Sequence, residues 1–385
     1  MQKIIEKLNI LNQNSQYRKI KDIEAKFSKF ITVNGNTMLN LSSNDYLNIS
    51  TDDNLRHEFV EKYKNHPDFL FSSASARLLT GTLSCYNTLE RNIARLFNKE
   101  ASLLFNTGYQ CNQGVISALF DKSDCIFSDK LNHASIVSGL KLSPAAHFRY
   151  HHNDMENLEK ILKEKRKDYK DAIIISESVF SMDGDIADIK KLIELKKKYN
   201  CYLMIDEAHA FCVFGNNLAG VCDSLDVLND IDIITITLGK ALGSLGAVCI
   251  SKKCIIDYLI NKSSPFIFST AIPSANVMWS NFLLEEKFEF LKSKKEKLND
   301  LFNKVHKIYP SQSASQIIPV IIGEAKETSL FASTMQQQGY YVLPINPPTV
   351  PVGTSRLRIS LCADMEYEEI KTMFERIKNE SSLAK

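Results

Sequence analysis

Nine cysteines are present, yet no two of them are spaced as C-x-x-C. That spacing opens most zinc sites and redox pairs, so neither a zinc site nor a disulfide framework is expected. Cys125, Cys201 and Cys249 sit inside apolar runs, where a thiol acts as a small hydrophobe. Long hydrophobic runs are missing too: no stretch approaches the ~20 residues that span a bilayer. The opening M-Q-K-I-I-E-K-L-N mixes charges and has no apolar core, so no signal peptide is expected. An excess of one charge is also lacking. The 47 basic and 45 acidic residues leave a formal +2, which gives no reason to expect a nucleic-acid or membrane partner. The basic runs K-E-K-R-K (163–167) and K-K-K (196–198) fall on amphipathic helix patterns and read as solvated faces. Internal repeats and low-complexity segments are absent. These absences fit a protein of the reducing cytoplasm.

What is present is ordinary for a globular protein: 44% apolar and 24% charged residues over 385 positions. That length predicts two domains with ample core. Residues 1–45 read as an amphipathic helix (Ile4, Ile5, Leu8, Leu11), a polar stretch and a hairpin turn at V-N-G-N (33–36), where Gly35 can take a positive φ. Residues 46–284 form the larger expected domain. Short, nearly continuous apolar runs at 102–106, 124–128, 146–150, 172–176, 201–206, 231–238 and 246–251 read as strands. Helical periodicity fills the gaps, as in Leu158, Ile161 and Leu162, then Ile189, Leu192, Ile193 and Leu195. Alternation of this kind predicts an α/β fold with a mostly parallel seven-stranded sheet covered on both faces. Residues 285–385 read as a smaller α+β C-terminal domain. Its pieces are a charged helix at 285–307, strands at 317–322 and 356–361, and helices near 326–338 and 366–379. The proline-rich stretch 346–354 is too long for a simple turn and reads as a working loop.

In open α/β sheets, ligands gather at the carboxyl ends of the strands. Asn106–Tyr109, Asp129–His133, Ser176–Ser181, Asp206–His209 and Thr237–Lys240 all fall there. The run I-D-I-I-T-I-T-L-G-K ends in Lys240, and C-Y-L-M-I-D ends in Asp206. A lysine amine and a carboxylate at buried strand ends are what pyridoxal phosphate needs. The lysine forms a Schiff base with the aldehyde, and the carboxylate keeps the ring nitrogen protonated so that the ring accepts electrons. D-E-A-H (206–209) is also a helicase metal box, but that reading needs a phosphate loop. The chain has Ile234 where the loop's first glycine belongs and Ala241 after the lysine. Alternatively, Asp206 and Glu207 merely cap the next helix.

Around this pair, Gly108 in N-T-G-Y opens backbone N–H groups to a phosphate at a helix start. The Thr237 hydroxyl lies three residues before Lys240, and Ser269-Thr270 is a further hydroxyl pair that alone reads as loop. His133 can stack on a flat ring, although a lone histidine is more often structural. His209 can reach the same group. Arg356 and Arg358 alternate on one strand face, where one can bind a carboxylate bidentately.

With these residues assembled, the chain resembles the α-oxoamine synthases, pyridoxal-phosphate enzymes of the aspartate-aminotransferase-like fold type I. The match runs nearly end to end through S-S-N-D-Y-L (42–47), A-R-L-L-T-G (76–81), L-L-F-N-T-G-Y-Q-C-N (103–112), L-N-H-A-S (131–135), S-V-F-S-M-D-G-D (178–185), I-D-E-A-H (205–209), T-L-G-K (237–240), F-S-T-A-I-P (268–273) and P-P-T-V-P-V-G-T-S-R-L-R (347–358). R-L-L-T-G, N-D-Y-L and the P-P-T-V-P loop point to the branch that forms 8-amino-7-oxononanoate in biotin synthesis.

The resemblance implies that Lys240 carries the cofactor and moves protons, that Asp206 pairs with the ring nitrogen and that His133 stacks on the ring. His209 and Ser181 would touch the ring substituents. Gly108, Tyr109 and Thr237 would hold the phosphate, with Thr270 contributed by the partner in a homodimer. Asn44, His133 and Arg358 would face the amino acid, and Arg18 and Thr349 would touch substrate. The implied substrates are L-alanine and pimeloyl-CoA or pimeloyl-acyl carrier protein. Glycine C-acetyltransferase, aminolevulinate synthase and serine palmitoyltransferase types remain open. The chain departs from the family pattern at S-S-A-S-A (72–76), where a glycine-rich run is usual, and at Tyr86, where a histidine is usual. It departs again at Asn48, where a glycine is usual, and at Tyr109, where phenylalanine is common.

Overall fold

The computed structural model describes residues 1–13 and 16–383. Two compact units emerge, one of residues 1–52, 181–185 and 296–385, the other of residues 53–180 and 186–295. The sequence reading instead divided the chain into 1–45, 46–284 and 285–385.

The first unit opens with the helix Gln2–Gln13, none of whose residues is buried. Strands β1 (Ala25–Phe27), β2 (Phe30–Val33) and β3 (Asn36–Asn40) form an antiparallel meander. The turn between β2 and β3 has positive φ at both Asn34 (50°) and Gly35 (72°). Those residue types tolerate that region, and its twist matches the flanking strands.

The second unit is built on a seven-stranded sheet. Its strands are β4 (Ala101–Phe105), β5 (Cys125–Asp129), β6 (Ala146–Tyr150), β7 (Ala172–Glu177), β8 (Tyr202–Asp206), β9 (Ile233–Thr237) and β10 (Ala247–Ser251). The spatial order is β4-β10-β9-β8-β7-β5-β6. All pairings from β9 to β6 are parallel, while β10 is antiparallel to both β9 and β4. Helices cover the sheet, so every residue of β7 and of β5 is buried, and the strands read as unbroken apolar runs. Phe105, Cys111, Val115, Ile126, Ile173 and Met204 pack in one cluster between helix and sheet. Each large apolar side chain buried there contributes about 1.5–3 kcal/mol.

The reversal of β10 has a simple cause. A parallel crossover needs roughly a dozen residues or more, and only residues 238–246 separate β9 from β10. The chain therefore folds straight back, and Lys240 sits in that return. Leu238 N–H donates to Gly246 O (2.9 Å), Ser244 N–H to Leu238 O (3.0 Å) and Gly243 N–H to Lys240 O (2.9 Å). Gly246 takes φ 110°, and a Cβ there would stand 3.2 Å from the Phe105 carbonyl oxygen. The return is closed tightly around small residues.

Strands β11 (Ile317–Gly323), β12 (Tyr340–Tyr341), β13 (Pro344–Ile345) and β14 (Ser355–Ser360) belong to the first unit. β14 lies antiparallel between β11 and β13. β12 pairs in parallel with β3, Tyr340 beside Leu39, and this pairing draws the N-terminal meander and the C-terminal residues into one unit. Among the described residues no helix is long and apolar enough to cross a membrane. All nine cysteines are free, and eight of them are buried.

Candidate active site

Asp206 ends β8 and is buried. Its Oδ2 accepts from Asn112 Nδ2 (2.7 Å) and its Oδ1 from Ala208 N–H (2.9 Å). A carboxylate has about four acceptor positions, so capacity remains for another donor. Glu207, the next residue, is spent on the fold. Its oxygens accept from Val221 N–H (3.0 Å), Cys222 N–H (2.8 Å) and the Ser178 hydroxyl. A Cβ on Gly220 would lie 2.4 Å from Glu207 Oε2, so only glycine fits against that carboxylate. Of the two acids in D-E-A-H, one closes a helix start and the other keeps acceptor capacity in reserve.

Lys240 is half-buried, and its Nζ lies 2.8 Å from His209 Nε2. Gly108 begins the helix Gly108–Leu119, where the Thr107 hydroxyl caps Gln110 N–H at 3.1 Å. A Cβ on Gly108 would stand 3.8 Å from Thr237 Cβ and 3.9 Å from its Oγ1, so the glycine leaves a cleft open beside that hydroxyl. Thr237 Oγ1 bonds to Gly246 O (3.2 Å) and accepts from Gly239 N–H (3.3 Å). Tyr109 is exposed. Thr270 is exposed too, with its carbonyl held by Asn106 Nδ2 at 2.7 Å.

His133 caps the helix Ala134–Leu142: its Nδ1 accepts from Ser135 N–H (3.2 Å) and lies 2.8 Å from Ser135 Oγ. Its own N–H donates to Glu177 Oε1 at 2.5 Å. Partial burial pulls the imidazole pKa below its ordinary value, with Asp206 opposing and the Lys240 charge adding. The helix N-terminus disfavours an imidazolium as well. Glu177 stands beside Asp206 in the sheet register and is buried. Burial pushes its carboxyl well above the usual range, the Asp206 charge adds to this and Lys240 opposes it.

These groups fit pyridoxal phosphate. The open cleft at Gly108, at a helix N-terminus beside a threonine hydroxyl, suits a phosphate. Asp206 suits a pyridinium nitrogen, Lys240 an aldehyde and His133 the ring face. The sequence reading did not anticipate Asn112, Ser135, Thr235 or Glu177. One signal was there: Asn112 lies four residues after Gly108 and so shares its helix face.

In the first unit, β14 carries both arginines. Arg356 bonds Asp183 through Nη1 and donates from Nε to Thr354 O (3.0 Å). Arg358 is buried and makes no ion pair among the described residues. Its Nη1 donates to Ser360 Oγ (2.8 Å), its Nη2 to Tyr46 OH (3.1 Å) and its Nε to Ser181 O. Tyr46 OH in turn donates to Asn44 Oδ1 at 3.1 Å. Burial raises the Tyr46 pKa and the Arg358 charge opposes that rise, so the phenol keeps its proton. Ser181, Asn44 and Arg358 thus form one cluster. Arg18 Nη2 meets Thr349 Oγ1 at 2.8 Å, although 331 positions separate them.

The sequence profile of the aminotransferase class I and II family matches residues 36–377. The chain belongs to this family. A Haemophilus influenzae (strain 86-028NP) protein provisionally named 8-amino-7-oxononanoate synthase is 44% identical over 374 residues, covering 95% of this chain and 97% of that protein. A Glaesserella parasuis serovar 5 (strain SH0165) protein of the same provisional name is 44% identical over 377 residues, covering 96% and 98%. Among solved structures, the serine palmitoyltransferase of Sphingomonas wittichii aligns with TM-score 0.87 at 26% identity, covering 99% of this chain and 97% of that one. The 8-amino-7-oxononanoate synthase of Francisella tularensis aligns with TM-score 0.76 at 27% identity, covering 90% and 98%. Within the aminotransferase class I and II family the chain is an α-oxoamine synthase of fold type I.

Proposed function

We propose that the chain condenses L-alanine with a pimeloyl thioester, on coenzyme A or acyl carrier protein, giving 8-amino-7-oxononanoate, the free thiol and CO2. The chain is a pyridoxal-phosphate-dependent acyltransferase. The observation that carries the substrate assignment is the 44% identity, over 95% of the chain, to a relative named for that product.

When bound, pyridoxal phosphate supplies the electron sink for the carbanion at the amino-acid Cα. Lys240 would carry the cofactor, and its free amine would take the Cα proton and later return one. His209, 2.8 Å from Nζ, orients that amine. Asp206 holds the ring-nitrogen proton. Gly108, Tyr109 and Thr237 take the phosphate, and Thr270 serves the partner protomer of a homodimer. His133 covers the ring face, and Ser181 and His209 meet its substituents. Arg358, with Nη hydrogens to spare, takes the amino-acid carboxylate beside Asn44, while Arg18 and Thr349 meet the acyl donor. The working location is the cytoplasm.

Mass analysis of the product from alanine and pimeloyl-CoA tests the assignment; the expected result is 8-amino-7-oxononanoate with one thiol released per CO2. A second reading, serine palmitoyltransferase activity, draws on the higher TM-score of 0.87 against 0.76. Product from serine and palmitoyl-CoA, with none from alanine and pimeloyl-CoA, would establish it instead.

A further inference from the structure

Asn112 is 2% exposed and makes three side-chain hydrogen bonds whose directions can be worked out. An ionised carboxylate only accepts, so Nδ2 must face Asp206 Oδ2, at 2.7 Å. The second Nδ2 hydrogen goes to Ser135 Oγ (3.0 Å), and Oδ1 accepts from Thr235 Oγ1 (3.0 Å). Ser135 Oγ, having accepted from Asn112, sends its own proton to His133 Nδ1, 2.8 Å away. Ser135 N–H reaches the same nitrogen at 3.2 Å. Nδ1 is then an acceptor, and the ring proton of a neutral His133 resides on Nε2.

We propose that Asn112 is a positioning residue that joins the carboxylate for the ring nitrogen to the imidazole for the ring face. It aims the Asp206 carboxylate, and through Ser135 it fixes His133 as the neutral Nε2–H tautomer. The proposal rests on the pyridoxal-phosphate reading above. Thr235, on neighbouring β9, anchors the amide so that it cannot flip. The other titratable groups around Asp206 are Glu177 at the end of β7, His133, Lys240 with His209, and Cys111 on the helix that carries Asn112.

Asn112→Asp is nearly isosteric and replaces both donors with acceptors. It sets a second carboxylate against Asp206, and where both ionise it adds one negative charge to the pocket. A hydrogen bond to an ionised group shifts an equilibrium roughly ten- to hundredfold, so the dissociation constant for added pyridoxal phosphate should rise at least tenfold. The pH midpoint of the visible absorbance of the reconstituted enzyme should move up by about one unit, because added negative charge favours the protonated form of neighbouring groups. Thr235→Val frees the amide and should move the midpoint the same way by a smaller step; it decides the matter alone if Asn112→Asp does not fold. Ser135→Ala cuts only the His133 branch, so it should raise the amino-acid KM and leave the midpoint within about 0.2 unit. A merely structural Asn112 would lower thermal stability and leave the spectrum alone. Folded variants with the wild-type midpoint and dissociation constant would overturn the proposal. A wild type that takes up no pyridoxal phosphate would instead overturn the reading it rests on.

Discussion

Asp206 and Arg77 are both buried charges in the same unit, and they are satisfied in opposite ways. Arg77 Nε donates to Thr82 Oγ1 (2.9 Å), and Nη1 and Nη2 reach the two oxygens of Glu90 at 3.1 and 3.2 Å. Its guanidinium lies 4.6 Å from the Tyr86 ring centroid and 5.6 Å from that of Phe266. Glu90 also accepts from Leu104 N–H at 2.8 Å, which ties the pair to β4. That charge is paired with a carboxylate of its own chain and covered on its faces by two aromatic rings. Asp206 has two protein donors and acceptor capacity to spare. Motif membership does not separate the two, since A-R-L-L-T-G and I-D-E-A-H both match the family. Charge pairing does: Arg77 has a carboxylate of its own chain across both Nη atoms, whereas the hydrogen-bonded side-chain donor to Asp206 is a neutral amide, which suits Asp206 to the cationic ring nitrogen of the proposed function.

The largest expected effect lies on the Asp206 side of this contrast. Lys240→Ala should abolish the visible absorbance of the purified yellow protein and lower kcat by about a thousandfold or more, because nucleophile and proton carrier are lost together. Unchanged absorbance in that variant would remove Lys240 from the site. Arg77→Leu should act on the fold instead. It leaves the partly buried Glu90 without its cation, at a cost of up to about 3 kcal/mol in unfolding free energy. Urea denaturation measures that loss, and the absorbance midpoint of whatever enzyme remains folded should not move. A shifted midpoint would show that the two networks are one.

A smaller effect appears at alkaline pH. Burial pushes Tyr86 up to about 12, and it likewise pushes the thiols of Cys125 and Cys249 up to about 12. Where the folded pKa is raised, the folded state keeps its proton while the unfolded chain loses it. The stabilisation is therefore complete below the unfolded value, about 8.5 for a thiol and 10 for a phenol, and is lost as pH climbs toward the folded value. Thermal stability should fall from about pH 9 upward, at up to about 1.4 kcal/mol per pH unit for each such group. Tyr86→Phe should flatten the part of the slope above pH 10. It also removes the hydrogen bond from the phenol to Ile272 O, so the variant starts lower and declines less steeply. An identical slope in the variant would rule Tyr86 out as a contributor.

The seven strands of the large sheet were legible because each is a short apolar run with its own stops, a local signal that needs no partner to be seen. Lys240, Asp206, His133 and Gly108 were legible for the same reason, each standing at the end of such a run. Asn112, Ser135 and Thr235 were not, because they are polar positions inside apolar patterns and their meaning lies in one another: 123 positions separate Thr235 from Asn112. The contact of Arg18 with Thr349 is longer still. The reversed direction of β10 follows from the brevity of 238–246 and could have been deduced. Asn48 shows how a departure from the family resolves. It takes φ 55°, the region that favours glycine but tolerates asparagine, and its Nδ2 donates to Asp364 Oδ2 at 2.9 Å.

The departure at 72–76 has a different outcome, and it gives the smallest effect. Ala74 has φ 50° without a side chain that can bond to offset the strain. Around it, serine hydroxyls do the work that backbone freedom would do in a glycine-rich run. Ser72 Oγ accepts from Ala74 N–H (2.9 Å), Ser73 Oγ donates to Ser75 O (3.1 Å) and Ser75 Oγ accepts from Thr80 N–H (3.1 Å). The Ser75 carbonyl then takes Ala271 N–H at 3.0 Å, next to Thr270. The serines thus hold the loop in a shape that Ala74 resists. Ala74→Gly should relieve about 1 kcal/mol of left-handed strain, partly offset by the greater freedom of glycine in the unfolded chain. The net gain, under about 1 kcal/mol, would appear as a small rise in the thermal midpoint. Ser72→Ala, which removes the hydroxyl that accepts from Ala74 N–H, should shift it the other way. If Ala74→Gly instead lowers the midpoint, the loop owes its shape to something other than the serines, and the contrast between a self-satisfied segment and an open site would have to be redrawn without it.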